Sequence, residues 1–224
     1  MSATPIHITC FSDILCVWAY IAERRIVEVR ERFEDQVSFD YRFISLFGDI
    51  ETKFNTGWKD RGGFDGYAAH VAEIASRFDH ITLHPDVWRK VRPTSSGGAH
   101  LLLKAVQLCS RDEDNGDVER LAGRLRRAFF VEARDISRFD VLMELVEELG
   151  LLRSAIEGHL ADGTAFAAWD RDVQEQQIHR IEGSPTYLLN NGRQKLFGNV
   201  GFRIIEANIR ELLREPSSSH ASWC

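Results

Sequence analysis

The chain has 224 residues, of which 44% are hydrophobic and 28% are charged, and its formal net charge is -6. These proportions are those of a globular domain long enough to bury a core. The acidic balance excludes the basic surface that nucleic-acid binding requires, so we expect no nucleic-acid partner.

The sequence contains no pattern typical of a membrane or secretory segment. No apolar run approaches the roughly 18 residues that span a bilayer. The first residues, MSATPIHITCFSD, lack the basic and apolar regions of a signal peptide. We therefore expect a cytoplasmic protein with no membrane contact, whose four cysteines remain reduced: Cys10, Cys16, Cys109 and Cys224.

The N-terminal part of the chain predicts a strand, a helix and a second strand. The segment PIHITCF alternates and is rich in β-branched residues, as is typical of a strand. A helical pattern starts near Cys16, with apolar residues at three- and four-residue steps from Trp18 to Phe33. The segment VSFDYRFISL alternates again, so we expect a parallel pair of strands with a right-handed crossover.

The middle of the chain predicts a helical insertion. Residues from about Gly48 to Asp65 are polar and rich in glycine, which predicts a loop. Residues from 66 to about 175 then carry helical periodicity in several segments. This stretch is too long for a loop, so it predicts an inserted helical domain.

The last part predicts a β-hairpin, a helix and a tail. The segment PTYLLNNGRQKLFG contains two short strands around Asn190-Asn191-Gly192, a strong hairpin signal. FRIIEANIRELLRE predicts an amphipathic helix, and PSSSHASWC predicts a polar tail. The predicted organisation is a core of residues 1–55 and 176–215, an insertion of residues 56–175 and a tail of residues 216–224.

Cys16 lies where the first predicted helix starts. Unpaired backbone N–H groups and the positive end of the helix dipole favour a thiolate there. We therefore expect the pKa of this thiol to fall from about 8.5 toward neutrality, which would make it a nucleophile. The alternative is that Cys16 is a small buried apolar residue, as free cysteines often are.

The predicted hairpin opens on GSPT, Gly183 to Thr186. A proline that enters a strand removes a ladder donor and so needs a special reason. One reason is a cis peptide bond between Ser184 and Pro185, which leaves the Ser184 backbone free for an extended ligand. The alternative is an ordinary trans proline, since only about 5–6% of X–Pro bonds are cis.

This order of elements and motifs resembles the DsbA-like branch of the thioredoxin fold. FSDILCVWAYIAERR is most similar to cytoplasmic FrnE-type oxidoreductases, whose motif runs Asp-x-x-Cys-Pro-Trp-Cys-Tyr. GAHLLLKA resembles the Ala-His-x-Leu stretch of their insertion, and GSPTYLLNNGRQKLFG resembles their cis-proline hairpin. The resemblance implies an α/β thioredoxin fold with a helical insertion domain, and it favours a cis Pro185.

The sequence departs from the FrnE-type motif at two positions. Val17 replaces the proline and Ala19 replaces the second cysteine. A dithiol enzyme uses that second thiol to resolve its mixed disulfide. The resemblance therefore implies a monothiol thiol–disulfide oxidoreductase that acts through Cys16 on a small thiol or protein disulfide. An external thiol such as glutathione would be the resolver, and no metal is required.

Two related groups use glutathione with one reactive position. Kappa-class glutathione transferases and 2-hydroxychromene-2-carboxylate isomerases usually have a serine where Cys16 stands, and that serine stabilises the glutathione thiolate. The stretch LFGNV aligns with the kappa-class Leu-Phe-Gly-Ser-Asp, so Asn199 keeps a polar contact while Val200 removes a charge. A third alternative is a redox-inactive module that binds peptides along Ser184–Pro185.

The remaining candidates are an aromatic residue and three histidines. Trp18 either flanks the sulfur or packs in the core. His100 either faces the cleft as an acid or base, or is an interior hydrogen-bonded residue. His80 and His84 form no metal pair, because the residues around them oppose a regular helix. A homodimer is compatible with the sequence.

Overall fold

The computed structural model describes residues 5–109 and 115–214. The strands are β1 (Ile6–Ser12), β2 (Val37–Phe43), β3 (Thr186–Leu189) and β4 (Gln194–Phe197). The first helices are α1 (Val17–Phe33), α2 (Ile50–Thr56), α3 (Gly63–Ala75), α4 (Gly97–Cys109) and α5 (Gly116–Phe130). The later helices are α6 (Phe139–Glu148), α7 (Arg153–Ala161), α8 (Thr164–Ile178) and α9 (Phe202–Arg214).

The strands form one sheet in the order β2-β1-β3-β4. β1 and β2 are parallel, while β3 is antiparallel to both β1 and β4. Between β3 and β4, Asn190, Asn191 and Gly192 have positive φ angles of 45°, 56° and 96°, which confirms the predicted hairpin turn. The predicted thioredoxin fold with a helical insertion is therefore confirmed.

Helix α8 covers the edge strand β2. The Asp172 carboxylate accepts a hydrogen bond from the Phe43 N–H at 2.9 Å, and the Trp169 indole donates to the Phe43 carbonyl at 2.8 Å. Lys104 on α4 donates to the other Asp172 oxygen at 2.9 Å. These bonds satisfy backbone groups that an uncovered edge would expose, and they fix the helical segment to the sheet.

The helical segment also shares the main hydrophobic core of the sheet. One cluster of buried side chains includes Phe39 on β2, Val106 on α4 and Leu125 on α5. Helices α2 and α8 extend across the predicted limits at residues 55 and 175. The division into core and insertion stays a prediction, and the tail of residues 216–224 lies outside the described residues.

The predicted loop from Gly48 to Asp65 is wrong, because α2 and the start of α3 occupy it. Asp49 caps α2 by accepting a hydrogen bond from the Thr52 N–H at 3.0 Å. Ile50 and Phe54, one helical turn apart, are both buried. The Phe54 ring packs on the Trp88 ring at a centroid distance of 5.4 Å. Packing against distant aromatic residues thus stabilises a helix in a segment of polar, glycine-rich composition.

Within the described ranges, no helix combines the length and the apolar character that crossing a membrane requires.

Candidate functional site

The structure brings Cys16 against the loop that leads into β3. Cys16 immediately precedes α1, is 7% exposed, and its Sγ donates a hydrogen bond to the Ser184 carbonyl oxygen at 3.3 Å. The Ser184–Pro185 peptide bond is cis. The Ser184 hydroxyl accepts a hydrogen bond from the Asp13 N–H at 3.0 Å. Two segments far apart in the sequence therefore meet at one sulfur atom.

The Cys16 thiol has a raised pKa, which contradicts the sequence-based expectation. Burial is the largest cause, and the negative charge of Asp13 also raises the pKa. A hydrogen bond with the Ser184 side chain and the backbone N–H groups of Ala19 and Trp18 lower the pKa but do not offset the burial. The expectation was wrong because it included the helix N-terminus but not the desolvation by the surrounding fold.

The rate at which iodoacetamide alkylates Cys16 is expected to rise continuously with pH from neutral pH to about pH 9. The thiolate is the reactive form, and its fraction grows until the pH reaches the raised pKa of this thiol. Mass spectrometry of the Cys16 peptide gives the rate, and the Cys109→Ser variant is the control for a second alkylated thiol. A rate that reaches a plateau below about pH 8 would contradict the burial argument.

Asp13 organises the turn that follows β1. Its carboxylate is 0% exposed. Oδ2 accepts hydrogen bonds from the N–H groups of Leu46 and Phe47, each at 2.9 Å, and from the Ser96 hydroxyl at 2.8 Å. Oδ1 accepts from the Leu15 N–H at 2.9 Å. One buried carboxylate therefore joins the turn before α1 to the loop after β2 and to the start of α4.

The sequence interpretation missed this role and included Asp13 only as part of the motif that carries the family resemblance. The available signal was its place in the Asp-x-x-Cys motif, three residues before Cys16. The motif alone does not identify the other three partners, Leu46, Phe47 and Ser96, because they lie more than thirty residues away.

His100 lies in the interior and does not face a cleft. It is 0% exposed, and its Nε2 accepts a hydrogen bond from the Ile14 N–H at 3.2 Å. Its ring stacks on Phe43 at a centroid distance of 5.6 Å. Burial lowers the pKa of His100, so the ring is neutral and carries its proton on Nδ1. His100 is therefore a positioning residue for the turn before Cys16.

Trp18 and Asn199 lie on different elements, α1 and the segment after β4. The partly buried Trp18 ring packs edge-on against Phe78 at a centroid distance of 6.2 Å. The backbone N–H of Trp18 lowers the pKa of the Cys16 thiol by hydrogen bonding. At the hairpin end, the Gly198 N–H donates to the Pro185 carbonyl at 2.8 Å. Asn199 follows directly, and its buried Oδ1 has no hydrogen-bond partner within the described chain.

The motif that starts at Cys16 contains no second thiol. Ala19 occupies the fourth position of the motif and is 4% exposed. Cys10 lies buried on β1, where burial raises the pKa of its thiol strongly, and Cys109 ends α4. Cys224 lies outside the described residues. Residues 5–109 and 115–214 hold no group of three or more His, Cys, Asp or Glu side chains that could bind a metal.

A family model matches nearly the whole chain. The model of the DSBA-like thioredoxin domain covers residues 7–210, which include both parts of the sheet and the helices between them. The chain belongs to the DSBA-like thioredoxin domain family. Members of this family are generally thiol–disulfide oxidoreductases, and the resemblance predicted from the sequence is confirmed. A comparison with curated protein sequences gives no match.

Solved structures with the DSBA-like fold cover almost all of the chain. A candidate protein disulfide isomerase from Nitrosomonas europaea has a TM-score of 0.75 at 13% identity, with 94% of this chain and 98% of that chain covered. The cytosolic disulfide reductase DsbM from Pseudomonas aeruginosa, solved with GSH, has a TM-score of 0.63 at 18% identity, with 94% and 98% covered. A 2-hydroxychromene-2-carboxylate isomerase has a TM-score of 0.64 at 17% identity, with 96% and 100% covered. At these identities the likeness shows the shared fold.

Proposed function

We propose that this DSBA-like protein is a thiol–disulfide oxidoreductase that works with one thiol, Cys16. The observation that carries the proposal is the contact of Cys16 Sγ with the Ser184 carbonyl at 3.3 Å, in a motif whose fourth residue is Ala19. The class of reaction, thiol–disulfide exchange, is the one that members of the DSBA-like family generally catalyse. The alanine removes the internal thiol that would resolve a mixed disulfide.

The reaction has two exchange steps. In the first step, the Cys16 thiolate attacks one sulfur of a substrate disulfide, a mixed disulfide forms, and the other substrate sulfur leaves as a thiolate that takes up a proton. In the second step, the thiolate of an external thiol attacks the substrate sulfur of the mixed disulfide and releases the Cys16 thiolate. The two steps convert the substrate disulfide and one external thiol into one substrate thiol and a mixed disulfide between the other substrate half and the external thiol. A second molecule of the external thiol then reduces this mixed disulfide, which releases the second substrate thiol and the disulfide of the external thiol. The N–H groups of Trp18 and Ala19 stabilise the Cys16 thiolate in both steps at Cys16.

Glutathione is the external thiol that we propose. The structure of DsbM, which shares this fold, was solved with GSH. In the present chain, the unpartnered Oδ1 of Asn199 offers an acceptor for an N–H group of a ligand beside Pro185. A reducing compartment such as the cytoplasm would keep Cys16 reduced and supply glutathione.

Steady-state kinetics test this proposal. We expect the chain to catalyse the reduction of 2-hydroxyethyl disulfide by reduced glutathione, followed through glutathione reductase and NADPH. The two half-reactions predict ping-pong kinetics, with a rate that increases with pH. The Cys109→Ser variant is expected to keep the wild-type rate. Failure to exceed the uncatalysed rate up to about pH 9 would contradict the proposal.

Restoring a second thiol with Ala19→Cys is expected to produce a dithiol enzyme. The Ala19 side chain lines a cavity, so the added sulfur has room. After oxidation, the variant is expected to form an intramolecular disulfide with Cys16 and to lose about 2 Da, the mass of two hydrogens. Intact-mass measurement checks this, with Ala22→Cys as a control that places a buried thiol three residues further along the helix. Retention of both thiols after oxidation of Ala19→Cys would contradict the expected geometry.

A second candidate function is favoured by the raised pKa of Cys16. A thiol that stays neutral can donate its S–H hydrogen bond to the thiolate of bound glutathione, as expected of a glutathione-dependent transferase or isomerase. In that function, Cys16 forms no covalent bond. The variant Cys16→Ser separates the two functions, because serine keeps a hydrogen-bond donor but loses the sulfur nucleophile.

A further inference from the structure

A cavity of about 200 Å³ lies behind the start of α1, between α1, α5 and one face of the sheet. Its lining is mostly apolar. Its lining includes Ala19, three residues after Cys16, and Pro185, which follows the residue whose carbonyl contacts the Cys16 sulfur. The sheet contributes Cys10, Tyr41 and Tyr187, and the two helices contribute Glu23, Ile26, Ala122 and Arg126.

Three buried hydrogen-bond donors in this lining have no acceptor among residues 5–109 and 115–214: the Tyr41 hydroxyl, the Tyr187 hydroxyl and Arg126 Nε. Tyr187 is 3% exposed, and burial raises the pKa of its phenol, so the hydroxyl keeps its proton. The other Arg126 nitrogens donate to the Glu23 carboxylate at 2.7 Å and to the Ser12 hydroxyl at 3.2 Å. Because an unmade hydrogen bond of a buried donor costs free energy, an acceptor atom in the cavity would be stabilising.

The charges of the lining indicate that this acceptor is neutral. The positive charge of Arg126 is matched by Glu23. The lining contains a second carboxylate, Glu119, which pairs with Arg30 at 2.9 Å. The lining residues therefore provide no surplus positive charge for an anion, whereas a carbonyl oxygen needs only the donors.

The volume sets the size of the occupant. A cavity of about 150 Å³ lined by apolar side chains takes up benzene. A cavity of about 200 Å³ therefore has room for one ring and a few further atoms. We propose that this cavity binds a small neutral molecule with a single-ring apolar body and one acceptor oxygen, which accepts a hydrogen bond from Tyr187. This site goes beyond the proposed thiol chemistry and does not require a reactive Cys16.

Three probes of similar size test the proposal by calorimetric titration of the full chain: acetophenone, ethylbenzene and benzoate. We expect acetophenone to bind more tightly than ethylbenzene, and both to bind more tightly than benzoate. Tyr187→Phe is expected to weaken acetophenone binding about fivefold, the size of one neutral hydrogen bond, and to leave ethylbenzene binding unchanged within about twofold. Ala122→Leu, which adds atoms inside the cavity, is expected to weaken the binding of both acetophenone and ethylbenzene.

Cys16→Ala is expected to leave acetophenone binding unchanged, so failure of the thiol chemistry and failure of this site are distinguishable. Absence of binding by both acetophenone and ethylbenzene would overturn the proposal, because the cavity would then hold water only. Benzoate binding tighter than acetophenone binding would overturn the neutral-ligand assignment. If Tyr187→Phe weakened the binding of acetophenone and of ethylbenzene by the same factor, the role of the Tyr187 hydroxyl would be overturned. The comparison of probes in the wild type stands even if a variant fails to fold.

Discussion

Cys16→Ser is expected to lower the glutathione-dependent reduction of 2-hydroxyethyl disulfide at least about a hundredfold. A serine hydroxyl is too weakly acidic to exchange with a disulfide, so both steps of the proposed reaction stop. The substitution keeps the size of the side chain and a donor for the Ser184 carbonyl, so the turn before α1 is expected to stay intact. The measurement is the initial rate at matched protein concentration, with thermal unfolding as the check on folding.

Cys16→Ala is the matched comparison for this experiment. If the monothiol reaction is right, both variants lose the activity to the same extent. If Cys16→Ser keeps most of the activity and Cys16→Ala loses it, the side chain acts as a hydrogen-bond donor to a bound thiolate. That pattern would reject the monothiol reaction and support the second candidate function.

Asp13→Ala is expected to lower the free energy of unfolding by about 3–5 kcal/mol. The substitution leaves three backbone N–H groups and the Ser96 hydroxyl without their acceptor in a buried place. Each such orphaned donor costs about 1–3 kcal/mol, although the costs are not additive. The expected loss is large because the bonds of one carboxylate connect three segments of the chain.

Urea unfolding measures this change. Asp13→Asn is expected to lower the free energy of unfolding less than Asp13→Ala does. The amide oxygen of asparagine still accepts hydrogen bonds, whereas its NH₂ group cannot. Asp60→Ala removes an exposed carboxylate and is expected to change stability by no more than about 0.5 kcal/mol. A loss below about 1 kcal/mol for Asp13→Ala would show that the hydrogen bonds of this carboxylate are not required for stability.

The sheet could be predicted from the sequence because its signals are local. Alternation within β2 matches its burial pattern, and the turn at Asn190 to Gly192 uses residues that tolerate positive φ. Helix α2 could not be predicted, because its stability comes from the packing of Phe54 on Trp88, thirty-four positions away. The segment is polar in composition, but its two buried side chains, Ile50 and Phe54, pack a helix against the rest of the fold.

The candidate site could be predicted in part. The family resemblance made Cys16 and the Ser184–Pro185 loop candidates for one site. The contact between them was not predicted, because nothing in the local pattern connects two segments so far apart. The direction of the Cys16 pKa shift was wrong, because desolvation depends on tertiary packing around the sulfur. The buried roles of Asp13 and His100 were missed or left open for the same reason, since their partners lie on other elements.

The intact mass after treatment with oxidised glutathione tests the one-thiol reaction most directly. The comparison is between Cys16 and Cys16→Ala, both in a Cys109→Ser, Cys224→Ser background and at about pH 8.5, where more of the buried thiol is ionised. The predicted result is a single glutathione adduct that is absent from the Cys16→Ala variant and is removed by reduced glutathione. A chain that forms no adduct at Cys16, or an equal adduct in Cys16→Ala, would contradict the one-thiol reaction.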